Sequence, residues 1–298
     1  MSAVRPKVVY VMGSHHIGST VLGVALGNCE DFFFAGEVHA WFTRHGVPAY
    51  RTPESLAFWR GVAEQVEHGA ELFGHDTELY IDRSSALRID RLRRWPTTRR
   101  ELLPRYREAT AELYRAIAAT SGAGHIIDTS HYPLRASQLQ SLPGIDLYLL
   151  FLVRDPQGVV ASHDPTRAAE GAKSALTMNL HLWATHALAL PVFLRQPPAR
   201  RMFLRHEQFL AEPAIALGAI LDWLGSDAAL PDLTSLQTGF PLQGNPFLKD
   251  HHVIALKGPP ARPAGSSPMT AVMQAPWTAL FSHLGPAVAQ RARPPQRP

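Results

Sequence analysis

Two glycines five residues apart, Gly13 and Gly18, enclose Ser14, His15, His16 and Ile17, and Ser19 and Thr20 follow at once. This is the frame of the loop GxxxxGK[ST], in which backbone N–H groups and the N-terminus of the next helix cradle phosphate oxygens. The lysine that would reach the outer phosphates of a nucleoside triphosphate is missing, and Ser19 stands in its place. Backbone donors, hydroxyls and imidazoles remain, a set that suits a 5′-phosphate and its substituent better than a magnesium triphosphate. A glycine-bounded turn that binds nothing has the same spacing, so the neighbouring chemistry has to decide between the two.

Three other places carry such chemistry. Glu37 comes just after the apolar run Phe32 to Phe34, by way of Ala35 and Gly36. A carboxylate at the end of a buried strand is a candidate general base, although a solvated surface glutamate is the commoner case. Asp128, Thr129, Ser130 and His131 crowd another strand end before Pro133 opens a helix. Arg154 closes the longest apolar run, Leu147 to Val153, and Asp155 and Pro156 then supply a cap and a first residue for a helix. Ser162 lies about two turns up that helix, where its hydroxyl can share a side with the arginine.

The elements that must position these residues follow from hydrophobic periodicity. Val8 to Val11 is a short β-branched run, and Val21 to Gly27 continues the loop as a small-residue helix. His125 to Asp128 and Arg201 to Arg205 read as further strands, and Leu147 to Val153 as a strand covered on both faces. Helical spacing appears over Pro53 to His68, over Arg99 to Thr120 with Tyr106, Ala109, Leu113 and Ile117 on one face, over Leu176 to Leu194, and from Pro213 to a stop at Gly225. Strands alternating with helices predict one α/β domain over residues 1–256, a three-layer P-loop NTPase-like fold with helices on both faces of a mostly parallel sheet of about five strands. Prolines are frequent from Lys257 onward, so residues 257–298 read as a tail with one short helix near Trp277 to Leu284.

Composition narrows the function classes. A net charge of +4 in 298 residues favours anionic ligands but is too mild to argue for nucleic acid. The single cysteine, Cys29, excludes an internal disulfide and reads as a small buried hydrophobe. The first strand leaves no room for a secretory signal and no apolar run is long enough to span a bilayer, so a cytoplasmic protein without a transmembrane segment is expected. His15 with His16, and His251 with His252, are adjacent pairs without metal-ligand spacing, and no metal site is expected. The arginine-rich stretch Asp82 to Arg100 reads as a solvated face, with an acceptor-binding lid as the other reading.

The motifs GSHHIGST, AGE, DTSHYPLR, LVRDPQGVVAS, RHEQFLAEP and QGNPFLKD, in that order over Val8 to Asp250, resemble the sulfotransferases that use 3′-phosphoadenosine 5′-phosphosulfate (PAPS). The closest pattern is that of the bacterial and tyrosyl-protein branch. The resemblance implies that the loop from Gly13 to Thr20 holds the 5′-phosphosulfate, with Gly18, Ser19 and Thr20 foremost, and that Arg154 and Ser162 grip the 3′-phosphate. It also implies that Glu37 is the base, and that the sulfuryl group passes to a hydroxyl of a small-molecule, glycan or lipid acceptor.

This chain departs from that family at three places. His16 stands where the branch has an arginine and His131 where it has a lysine, so imidazolium is expected to supply the charge toward the migrating group. Lys249 and the arginine-rich stretch are the other sources of charge. His206 replaces a tyrosine and reads as a packing change. Two further function classes stay open: a P-loop phosphoryl transferase, disfavoured by Ser19, and a non-catalytic nucleotide-binding module in which the histidines mark lost chemistry.

Overall fold

In a computed structural model of the chain, which describes residues 5–73, 95–161, 175–258 and 267–284, the first strand sends Val8, Tyr10 and Met12 into one core and Val9 and Val11 into another. The fourth strand divides in the same way, Leu149, Phe151 and Val153 against Leu150 and Leu152. Side chains alternate across a strand, so an unbroken apolar run is satisfied only when both faces of the sheet are covered. The strands are β1 (Lys7–Met12), β2 (Phe32–Gly36), β3 (His125–His131), β4 (Asp146–Val153) and β5 (Arg201–Arg205). They form one sheet in the order β2-β3-β1-β4-β5, and every neighbouring pair is parallel. This is the predicted α/β class and sheet.

The helices are α1 (Ser19–Gly27), α2 (Ala40–Thr43), α3 (Pro53–Ala63), α4 (Trp95–Ser121), α5 (Pro133–Leu139), α6 (Pro156–Ala161), α7 (Ala175–Arg195), α8 (His206–Ala211), α9 (Pro213–Leu224) and α10 (Pro268–Leu284). Helices α4, α5 and α10 pack on the first core, α1 and α9 on the second. The stripe Tyr106, Ala109, Leu113 and Ile117 of α4 is fully buried. The helix predicted from Pro53 stops at Ala63 rather than at His68, and His68 beyond it gives its N–H to Glu112 of α4 and sets Nδ1 2.7 Å from the same carboxylate. The third strand runs on to His131, which pairs with Met12 after a register shift. Where a short helix was expected near Trp277 to Leu284, α10 begins at Pro268, and its Trp277 and Phe281 are buried against His186 of α7. A small antiparallel pair, β6 (Leu236–Gln237) and β7 (Val253–Ile254), folds the last arm beside the sheet. Most of the arginine-rich stretch lies outside the described residues. Among the described residues, no helix is long and apolar enough to cross a membrane.

Beneath the end of β3 lies a buried polar network. Arg135 of α5 is fully buried and reaches the hydroxyls of Tyr106 and Tyr114 and, at 3.5 Å, Asp128 Oδ2. Tyr114 donates to the same carboxylate oxygen at 2.5 Å. Burial pushes its phenol well above the ordinary range, so it remains a donor. The other oxygen, Oδ1, accepts from the Ser130 N–H and hydroxyl. Removing one partner of such a pair strands a buried charge at a penalty of about 3–5 kcal/mol. Arg135→Met is therefore expected to lower the urea midpoint steeply, and Asp128→Asn combined with it to recover much of the loss. Equal midpoints for the single variant and the wild type would show that the network does not carry stability.

Candidate active site

Because the five strands are parallel, their C-terminal ends share one edge of the sheet. Glu37 follows β2, His131 ends β3, the glycine loop follows β1, Arg154 follows β4 and His206 follows β5. The sheet order therefore ranks them across the edge: carboxylate, imidazole, loop, guanidinium, imidazole.

The loop is held by its neighbours. Gly13 donates its N–H to His131 O, and a Cβ at Gly13 would come within 2.4 Å of Leu152 O on β4. His16 takes a left-handed conformation at φ 60°, and its carbonyl accepts from Arg154 Nη1 at 2.8 Å. Gly18 is left-handed too and is the N-cap of α1, with no side-chain cap of its own ahead of the first-turn N–H groups. Those donors and the positive end of the helix face the anion-binding position of the frame. Beside them opens a cavity of about 1010 Å³, lined by His16, Gly18, Arg154, His206, Phe247 and Lys257 among others. Its volume and mix of cations with an aromatic wall suit a nucleotide.

On the other side of the loop, Glu37 is fastened to the segment that follows Pro241. Its N–H donates to Gln243 O, and Gln243 Nε2 donates to Glu37 Oε2, both at 2.8 Å. Gly36 has φ 75°, and a Cβ there would meet Gln243 O at 2.2 Å, so the crossing requires glycine. Tyr50 donates to the carbonyls of Gly244 and Asn245, and burial, then the Glu37 charge, push its phenol up to about 12. Gly244 lies over Thr20, and Asn245 and Phe247 reach the cavity. One short segment thus joins the carboxylate to the glycine loop.

Imidazoles gather between them. His15 meets His131 edge-on with centroids 4.3 Å apart and stacks on His181 of α7 at 5.7 Å. His131 is left-handed at φ 56°, with Nδ1 3.2 Å from Thr129 O. The buried network reaches this point, since Ser130 Oγ, bound to Asp128, also accepts the N–H of His39.

Of the residues singled out from sequence, the loop from Gly13 to Thr20 runs between Arg154 and Glu37, with His16 on the cavity and His15 against His131. Ser162 lies outside the described residues. Lys249 is exposed and is not among the cavity's lining residues, whereas Lys257 is. Sequence reasoning passed over Lys257 and Phe247. The available signal was a basic residue beside Gly258, which the surrounding prolines hid. His206, read as a packing change, is a wall of the cavity as well. Among the described residues the one grouping of possible metal-ligating atoms is His68, Glu108 and Glu112, on α4 and a neighbouring loop, not at the strand ends.

No protein-family model matches the chain, and no curated protein sequence does. Among solved structures it is similar to the sulfotransferase domain from the curacin biosynthetic pathway, with TM-score 0.55 and 14% identity over 92% of this chain and 98% of that one. It is similar to the sulfotransferase domain of the Synechococcus PCC 7002 olefin synthase, with TM-score 0.53 and 17% identity over 93% and 97% of the two chains. For a sulfotransferase from Mycobacterium avium the TM-score is 0.50, with 14% identity over 94% of this chain and 78% of that one. The chain has the sulfotransferase fold. At these identities the likeness is one of architecture, and what the strand-end residues do is argued from their chemistry below.

Around the sulfotransferase-fold site two histidines are held neutral. Burial pushes His186 down to about 4, and burial with Arg154 beside it does the same to His206. In the unfolded chain both titrate near ~6.5. Between those values the unfolded state binds more protons, so stability rises with pH through the window and is lost on acidification from about 6.5 toward 4, by at most about 1.4 kcal/mol per pH unit for each group. His186→Phe, which replaces an unpartnered Nδ1 between Trp277 and Phe281, is expected to make the urea midpoint less acid-sensitive. A midpoint that falls equally in wild type and variant between pH 7 and 4.5 would exclude His186 as a source of that sensitivity.

Proposed function

We propose that the chain transfers a sulfuryl group from PAPS to a hydroxyl of a small-molecule, glycan or lipid acceptor. The observation that carries the reading is the order of groups along one sheet edge of a sulfotransferase fold: a carboxylate, an anion loop, then a guanidinium opening on a nucleotide-sized cavity. The residues present fit the nucleotide. An uncapped helix start and Arg154 suit its phosphates, Lys257 adds positive charge, and Phe247 offers a face for a purine. When bound, that nucleotide supplies the sulfuryl group.

The chain's own residues have the remaining tasks. Glu37 takes the proton of the acceptor hydroxyl, with Gln243 fixing one carboxylate oxygen and leaving the other to work. The N–H groups of Ser19 and Thr20 orient the anion, and His16 and His131 give N–H donors to charge that builds up during transfer. Arg154 has two duties, since it already steadies the loop through His16 O. Holding the reactants in line is most of the work, as in phosphoryl transfer, and a group with less charge than a triphosphate suits a loop with Ser19 in place of lysine.

Mass spectrometry of acceptor mixtures incubated with protein and PAPS tests the reading through the mass increment of one sulfate. Tight binding of 3′-phosphoadenosine 5′-phosphate with no turnover over a broad acceptor panel would instead select a binding module, and magnesium-dependent ATP hydrolysis a phosphoryl transferase. A charged hydrogen bond contributes roughly 1.5–3 kcal/mol, so Arg154→Ala is expected to weaken 3′-phosphoadenosine 5′-phosphate at least about tenfold more than the analogue without the 3′-phosphate, which shares only the loss of the bond to His16 O. Equal loss for both ligands would count against the assignment. Glu37→Gln is expected to keep nucleotide affinity and lower kcat by about 10² or more, and unchanged turnover would remove Glu37 from the mechanism.

A further inference from the structure

His206 is a cavity residue to which the proposed transfer gives no task. It opens α8 directly beyond β5, is 8% exposed, and rests on the anion loop: a methyl group at Gly18 would lie 2.1 Å from its Cε1 and 2.4 Å from its Nδ1. Nδ1 is buried and has no hydrogen-bond partner. An imidazole so placed lies against the loop and, when neutral, has one ring nitrogen left to protonate.

The charges around it are mixed. Arg154 stands beside it from the end of β4, tied to His16 O, and His16 itself faces the same cavity. On its own helix Glu207 accepts the Asp155 N–H at Oε1, while Oε2 is buried without a partner. The last arm contributes His251 and Lys257 to the cavity wall. Burial first, and then Arg154, hold the imidazole down at about 4, so it is neutral at ordinary pH. A phosphate dianion bound at Arg154 would cancel the guanidinium charge and add negative charge of its own, which reverses the field at the ring. The dianion accepts hydrogen bonds and donates none, and imidazolium carries two N–H donors where neutral imidazole carries one.

We propose that His206 takes up a proton from solvent when a nucleotide phosphate enters the cavity, so that binding there is proton-coupled and strengthens as pH falls. The inference rests on the nucleotide reading of the cavity. The free protein holds fewer protons than the complex between about 4 and the raised value in the complex, so affinity grows on acidification through that window, by at most about tenfold per pH unit. It levels off below the free value.

The test is calorimetric titration of 3′-phosphoadenosine 5′-phosphate at several pH values from 5.5 to 7.5, in buffers of different ionisation enthalpy. The ligand's own phosphate titrates near ~6 and contributes alike in every protein, so the difference between wild type and variant is the readout. Wild type is expected to take up more protons than His206→Gln near pH 6, and its affinity advantage to widen by about tenfold from pH 7.5 to 5.5. His206→Tyr, the residue that the resembling family carries here, serves as a second non-titrating variant should glutamine fail to fold. Equal uptake and parallel affinity profiles in wild type and variants would overturn the proposal while leaving the nucleotide reading intact. No binding by the wild type at any pH would overturn both.

Discussion

Parallel pairing of five strands is the constraint on which the site depends. Each strand must be re-entered from the same end, so every connection is a crossover and every functional turn falls on one edge. Both faces then have to be buried, and the chain meets this with the alternation of β1 and β4 between two cores. Glu37, His131, the loop, Arg154 and His206 are brought to one edge for that reason, since more than half of the chain separates Gly13 from His206.

The second layer of organisation is close approach. Gly13 lets β4 come within contact of the loop, Gly18 admits the ring of His206, and Gly36 admits the backbone of Gln243. At each place a side chain would open the edge and separate groups that must act together. His16 and His131 adopt left-handed backbone without being glycine, an unfavourable state for such residues that the surrounding contacts enforce: Arg154 on one carbonyl, Gly13 on the other.

Among the described residues, few permanent charges line the cavity and the loop. Arg154 and Lys257 are fixed cations and Glu37 lies at the opposite side, while the ground between holds imidazoles. Beyond Arg154, burial and the guanidinium charge hold the His206 imidazole low.

Much of the architecture was legible in the residues. Apolar runs gave strands and helical stripes gave helices, because burial imposes periods of two and 3.6 on any chain. Glycine spacing marked the loop, and prolines marked helix starts at Pro53, Pro133, Pro156 and Pro213. Other features depend on pairs distant in sequence and had no local trace: His68 turning to Glu112, α10 docking on His186, and Gln243 holding Glu37. His206 shows the limit best. Its type and position were visible, but the Gly18 contact and the Arg154 charge come from two other segments of chain, and the burial that lowers its pKa exists only in the closed fold. Sequence by itself determined which groups stand at strand ends, since periodicity is local. Tertiary structure decided which of them share a cavity and in what charge state, because distance and desolvation exist only after the chain has closed on itself.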